Sequence, residues 1–142
     1  MLTIDSHLDL AANAVYWDRD LVLEIGEIRA READMSGKGR GNNTVSLPEM
    51  RRGRVALASG TLLARTGSSP ATGLPAHASA TIAYGVAHGQ LAYYRVLEEM
   101  GEIRIVRTRA DLDAHWREWE RWAAAPTQEA PVPGLIISME GA

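Results

Sequence analysis

The feature that most constrains this chain is an alternation. Apolar runs too short to be helices recur between segments of helical spacing along its 142 residues. Met1 to Leu8 predicts a short buried strand. Arg54 to Ala64 predicts a second, with Val55, Leu57, Leu62 and Leu63 separated by the small residues Ala56, Ala58, Ser59 and Gly60. Small residues inside a strand suit a place where backbones crowd around a narrow interior. Ile103 to Val106 and Gly134 to Ser138 supply the third and fourth strands. Strands alternating with helices predict a parallel sheet with right-handed crossovers, and so an α/β fold.

The intervening segments carry helix signals. Ala11 to Val15 is followed by an irregular stretch, and Leu21 to Ala33 has near-helical spacing weakened by Gly26. Leu47 to Arg52 predicts a short helix with Ser46 at its N-cap and Pro48 in the first turn. The longest helix is expected from His77 to Met100, with Ile82, Val86, Tyr93, Leu97 and Met100 on its apolar stripe and Gly101 as its stop. Thr108, with Asp111 three residues on, resembles a capping box opening a helix whose stripe is Leu112, Trp116, Trp119 and Ala123. Trp116 and Trp119 are expected to point inward and Trp122 to be partly exposed. The Gly/Lys/Arg-rich stretch 36–43 predicts a mobile polar loop, lacking the Gly-Lys-Ser/Thr ending and following helix of a phosphate-binding loop. Residues 66–75 and 126–133 read as a loop and a linker.

Composition narrows the chemistry. The chain has no cysteine, so disulfides, thiolate nucleophiles and thiolate metal ligands are excluded together. A net charge of -3 gives no basic footprint for nucleic acid. No apolar run approaches the roughly 20 residues that span a bilayer, and the N-terminus lacks the pattern of a secretory signal. A cytoplasmic protein with no membrane span is the expectation.

Two short motifs close the ends of predicted strands: Asp5-Ser6-His7-Leu8-Asp9 and Met139-Glu140-Gly141-Ala142. His7 and Asp9 are two apart, so on a strand they point the same way while Leu8 points opposite. One imidazole and one carboxylate on a common face can share a divalent cation, zinc foremost, and Glu140 can bridge two such cations. Two metals roughly 3.5–4 Å apart would share a water and polarise a carbonyl. Asp5 is expected to support the site rather than bind metal. His77, His88 and His115 read as packing or surface residues. Tyr16 and Trp17, just after the first motif, are candidates for a wall of a substrate pocket.

The segment Asp5-Ser6-His7-Leu8-Asp9-Leu10 resembles the opening motif of the membrane (renal) dipeptidase family of zinc metallopeptidases. Three further stretches match in order. Val45 to Val55 is similar to that family's Asp-Leu-Pro-x-Met-x-x-Gly-x-Val segment. The Ile103–Val106 strand with the Thr108–Leu112 helix start follows, and Leu135 to Gly141 resembles the strand that delivers its bridging glutamate. The resemblance implies a (β/α)₈ TIM-type barrel with its site at the C-terminal strand ends. It makes His7 and Asp9 ligands of one zinc and Glu140 the bridge between two. It also implies a dipeptide as substrate, attacked by a metal-bridging water.

The match spans the whole chain but only the first third to two-fifths of a typical member. A barrel takes about 250 residues, so residues 1–142 are expected to form the N-terminal part of one dipeptidase barrel domain. The histidines of the second zinc and the general acid/base groups are then expected outside this chain. The chain alone is expected to be inactive, and either the missing barrel portion or a second copy of the chain to be its partner. The rival expectation is a non-catalytic remnant that serves as an association module.

Overall fold

A computed structural model describes residues 1–37, 39–67, 74–126 and 129–140. Lys38, residues 68–73 of the second loop, residues 127–128 of the linker, and Gly141 and Ala142 lie outside the described residues. The fold is mixed α/β, with one four-stranded parallel sheet in the order β1-β2-β4-β3. The strands are β1 (Thr3–Leu8), β2 (Val55–Leu63), β3 (Arg104–Ile105) and β4 (Gly134–Glu140). Among the described residues five helices connect them: α1 (Leu10–Trp17), α2 (Ile25–Arg31), α3 (Leu47–Arg52), α4 (Ala80–Glu99) and α5 (Arg109–Ala124). None is long and apolar enough to cross a membrane.

The third strand is not the equal of the others. β2 and β4 pair directly, from Leu57 opposite Gly134 to Leu63 opposite Glu140, which leaves no gap for β3 between them. β3 instead sits on the outer edge of β4, tied by the Arg104 N–H to Pro133 O (2.9 Å) and the Val106 N–H to Leu135 O (2.8 Å). The three long strands therefore lie side by side in chain order.

Local signals set most helix ends. Ser79 caps α4 by accepting the Ile82 N–H, and His77 lies ahead of the helix with its N–H bonded to Arg65 O. At the other end Gly101 takes φ +76, and the Glu102 and Gly101 N–H groups return to Leu97 O and Glu98 O. That left-handed closure is open to glycine at little cost. Thr108 and Asp111 form the expected capping box on α5. Ser46 occupies the N-cap of α3, but its hydroxyl makes no capping bond. α2 is shorter than the spacing of Leu21 to Ala33 suggests, because Glu24 and Glu27 form a capping box that starts it at Ile25.

The faces that α4 and α5 bury differ from the apolar stripes. On α4 the buried residues are Ala83, Ala87, Gln90, Tyr94 and Leu97, while Ile82 (50%) and Met100 (57%) are exposed. Gln90 decides the rotation: its amide donates to Leu63 O and accepts the Leu63 N–H, both at 2.7 Å. Satisfying a strand end that water cannot reach outweighs exposing two apolar side chains, since unpaired buried backbone groups cost about 1–3 kcal/mol each. On α5 the buried pair is His115 and Trp119; Trp116 instead bonds Glu120 at the surface, and Trp122 is partly exposed as expected.

The helices cover one face of the sheet. Ala58, Leu62 and Leu135 join Leu10, Tyr94 and Leu97 in the core there. On the other face Ile4 is 60% and Ile136 41% exposed, and the hydroxyls of Ser59 and Ser138 bond each other at 2.8 Å. Two glycines permit helix side chains to approach the strands closely. A Cβ on Gly60 would stand 3.3 Å from the Tyr94 ring and from Leu135, and one on Gly134 only 2.5 Å from His115 Nε2.

Candidate metal centre

His7 and Asp9 reach the open face of the sheet through an irregularity in β1. Asp5 stands opposite Ala58 but Leu8 opposite Gly60, so three steps on β1 match two on β2. A bulge of this kind re-aims the side chains beyond it. Before it, Ile4 shares a face with Leu57; after it, Leu8 turns to the core and the His7–Asp9 side turns outward. The Asp5 carboxylate accepts the His7 N–H at 2.9 Å inside the bulge. Asp5 thus shapes the strand that carries the site.

Glu140, the last residue of β4, comes to the same place from the far end of the chain. Its Oε2 lies 3.2 Å from His7 Nε2, and Asp9 Oδ1 lies 3.5 Å from the same nitrogen. One donor atom from each of the three falls within 4.8 Å of the other two. Glu140 Oε2 has almost no accessible surface, and among the described residues its one polar neighbour is His7 Nε2, with no further hydrogen-bond donor on it. Buried carboxylate oxygens are ordinarily satisfied. One imidazole nitrogen and two carboxylates around such an oxygen fit a divalent cation, and the half-exposed side of the cluster leaves room for water on it.

Asp9 is held from two directions. Its carboxylate accepts a hydrogen bond from the Thr61 hydroxyl, which also lies 3.2 Å from Leu8 O. Its carbonyl accepts the Asn13 side-chain amide at 2.9 Å. Asn13 in turn accepts from Arg19 (2.7 Å), and Arg19 forms a two-pronged pair with buried Glu32 at 2.7 and 3.0 Å. Glu32 also takes Arg40 (2.9 Å) and the Gly41 N–H (2.8 Å), while Arg19 binds Gly39 O. The loop expected to be mobile is therefore pinned through its described residues, because a buried carboxylate gathers its donors from the loop. Hydrogen bonding from Arg19, helped by the Gly41 amide and Arg40 and only partly opposed by burial, holds the Glu32 carboxyl down at about 2.

Behind Thr61 stands Tyr94, fully buried, whose hydroxyl accepts the Ala11 N–H (3.1 Å) and donates to Thr61 O (3.0 Å). Burial pushes its phenol well above the usual range, so it stays a donor.

Trp17 lines a cleft of about 270 Å³ with Asp9, Asn13, Arg19 and Asn42. Its ring packs under Arg19 and Arg40, at 4.9 and 5.1 Å. Tyr16 points elsewhere: its hydroxyl donates to Leu63 O (2.9 Å) and lies 3.2 Å from His77 Nε2. His88 is exposed against Tyr84, and His115 is fully buried with Nε2 at 2.7 Å from Ala56 O, so neither reaches the cluster. A larger cleft, about 860 Å³, opens at the opposite ends of the strands, where Arg51–Glu102 and Arg104–Glu118 are already paired.

Thr61, Tyr94, Asn13, Arg19 and Glu32 were not singled out in the sequence. The one available signal was Gly60-Thr61, a strand position without a side chain beside one with a hydroxyl. No family model, curated protein or solved structure matches this chain.

Proposed function

We propose that this chain is the N-terminal part of a zinc-dependent dipeptidase barrel. In this reading β1, β2 and β4 are the first three barrel strands, and His7, Asp9 and Glu140 are ligands at their C-terminal ends. One observation carries the reading: Glu140, 131 residues after Asp9 in the numbering, brings a carboxylate oxygen to 3.2 Å from His7, so that His7, Asp9 and Glu140 each offer a ligand atom within 4.8 Å of the others. The side-by-side order of the three long strands and the open sheet face agree with it. Zinc supplies a Lewis acid and lowers the pKa of bound water. His7 and Asp9 would hold the first zinc. Glu140 would bridge to a second, whose histidines the family resemblance puts later in a complete barrel. Trp17 and the cleft beside Asp9 would be the side of the site nearest a dipeptide.

Titration of the purified 142-residue chain with Zn²⁺ by calorimetry tests this. We expect one zinc per chain, affinity falling by more than about 100-fold in His7→Ala and Glu140→Gln, beyond the range for outer groups that only orient a ligand. No dipeptide hydrolysis is expected from these residues alone. Equal zinc binding by wild type and both variants would refute the reading.

The second reading is a non-catalytic association module, favoured by the exposed Ile4 and Ile136 on the open face. It requires a self-associated or partner-bound chain whose assembly is untouched by His7→Ala, which sedimentation of the two proteins distinguishes.

A further inference from the structure

The structure offers a positioning residue for the cluster, and the argument rests on the metal-centre reading above. An aspartate that follows a strand end has free rotation about two side-chain bonds, so its oxygen faces His7 only if something holds it there. Asp9 is the N-cap of α1, but its side chain makes no capping bond to that helix. What holds it is Thr61 on the neighbouring strand, whose hydroxyl bonds Asp9 Oδ1, the same oxygen that lies 3.5 Å from His7 Nε2. A carboxylate oxygen has two lone pairs, so one can take the hydroxyl while the other faces a cation. Thr61 is itself buried and cannot drift. Its backbone carbonyl is clamped by the Tyr94 hydroxyl, which also holds the Ala11 N–H two residues beyond Asp9. Gly60 lets the Tyr94 ring come that close.

We infer that Thr61 is the positioning residue that aims Asp9 at the shared cation, with Tyr94 fixing Thr61 against the first turn of α1. Outer hydrogen bonds that orient a metal ligand are worth about 10–100-fold in metal affinity. Thr61→Val keeps the side-chain shape and removes the hydroxyl; Thr61→Ser restores it.

The test is Zn²⁺ titration of wild type, T61V and T61S by calorimetry, with a zinc-free crystal structure of T61V. We expect T61V to bind about 10–100-fold more weakly, T61S to stay close to wild type, and Asp9 in T61V to turn away from His7. If T61V does not fold, Thr61→Ala takes its place in both measurements. Equal affinity of T61V and wild type overturns the assignment and leaves the metal centre standing. So does a T61S as weak as T61V, or a T61V structure in which Asp9 keeps its place. A wild-type chain that binds no Zn²⁺ overturns both the metal-centre reading and this assignment.

Discussion

Glu32→Gln is the substitution that most directly tests how the wall beside Asp9 is built. The Glu32 side chain is 4% exposed and that of Arg19 7%. Its two oxygens accept four donors: Arg19 Nε, Arg19 Nη2, Arg40 Nη1 and the Gly41 N–H. A glutamine offers one oxygen, and its NH₂ group would face donors. Arg19 would then be left charged, buried and half-paired, which costs about 3–5 kcal/mol. The acidity of Glu32, set by the same hydrogen bonds, points to a similar size. Its carboxyl is held at about 2 against an ordinary 4.5, and at 1.36 kcal/mol per unit this is about 3 kcal/mol. The folded value is the lower one, so this stability is complete above 4.5 and is lost as pH falls from there through 2. Urea unfolding followed by circular dichroism should show wild type about 3 kcal/mol more stable than E32Q at pH 7. The gap should narrow by about 2 kcal/mol at pH 3. Replacing both partners, as in Arg19→Met with Glu32→Leu, should recover much of the loss, since no buried charge is stranded between them. A gap under about 1 kcal/mol at pH 7, or one that ignores pH, would refute the argument.

Two further expectations concern the packing of α5. Gly134→Ala places a Cβ 2.5 Å from His115 Nε2, and His115, fully buried and bonded to Ala56 O, has nowhere to go. Overpacking plus the broken bond should cost about 2–5 kcal/mol in urea unfolding; a cost near zero would show that the helix shifts freely. Burial, partly offset by the bond to Ala56, lowers the pKa of His115 below 6.5. The unfolded chain then takes up that proton first, so stability falls as pH drops below about 6.5. Between pH 7.5 and 5.5 wild type should lose more stability than His115→Gln, and equal slopes would count against a neutral buried imidazole.

Much of the framework was legible because its causes are local. The helix α3, the capping box at Thr108 and the glycine stop at 101 depend on residues within one turn of each other. Strand positions followed from short apolar runs, since β2 is buried along most of its length and β4 at its first two residues. His7, Asp9 and Glu140 were also visible as strand-end residues, and the structure brings them together. The stripes of α4 and α5 were legible only in part, with Leu97 and Trp119 buried as expected, because the buried face of each also includes a polar residue. Gln90 and His115 are inside since each bonds a backbone group of β2.

What the sequence alone determined is the alternation of parallel strands and helices, the caps that bound them, and the residue types available for a cation. Spacing along the chain suffices for those. Tertiary structure decided the rest: which edge β3 joins, which way β1 faces after its bulge, and what surrounds Asp9. Those outcomes turn on partners far away in the chain, Thr61 for Asp9, Glu32 for Arg19, Glu140 for His7. A hydrogen bond or ion pair between distant residues leaves no period in the sequence, and only folding brings its two ends within reach.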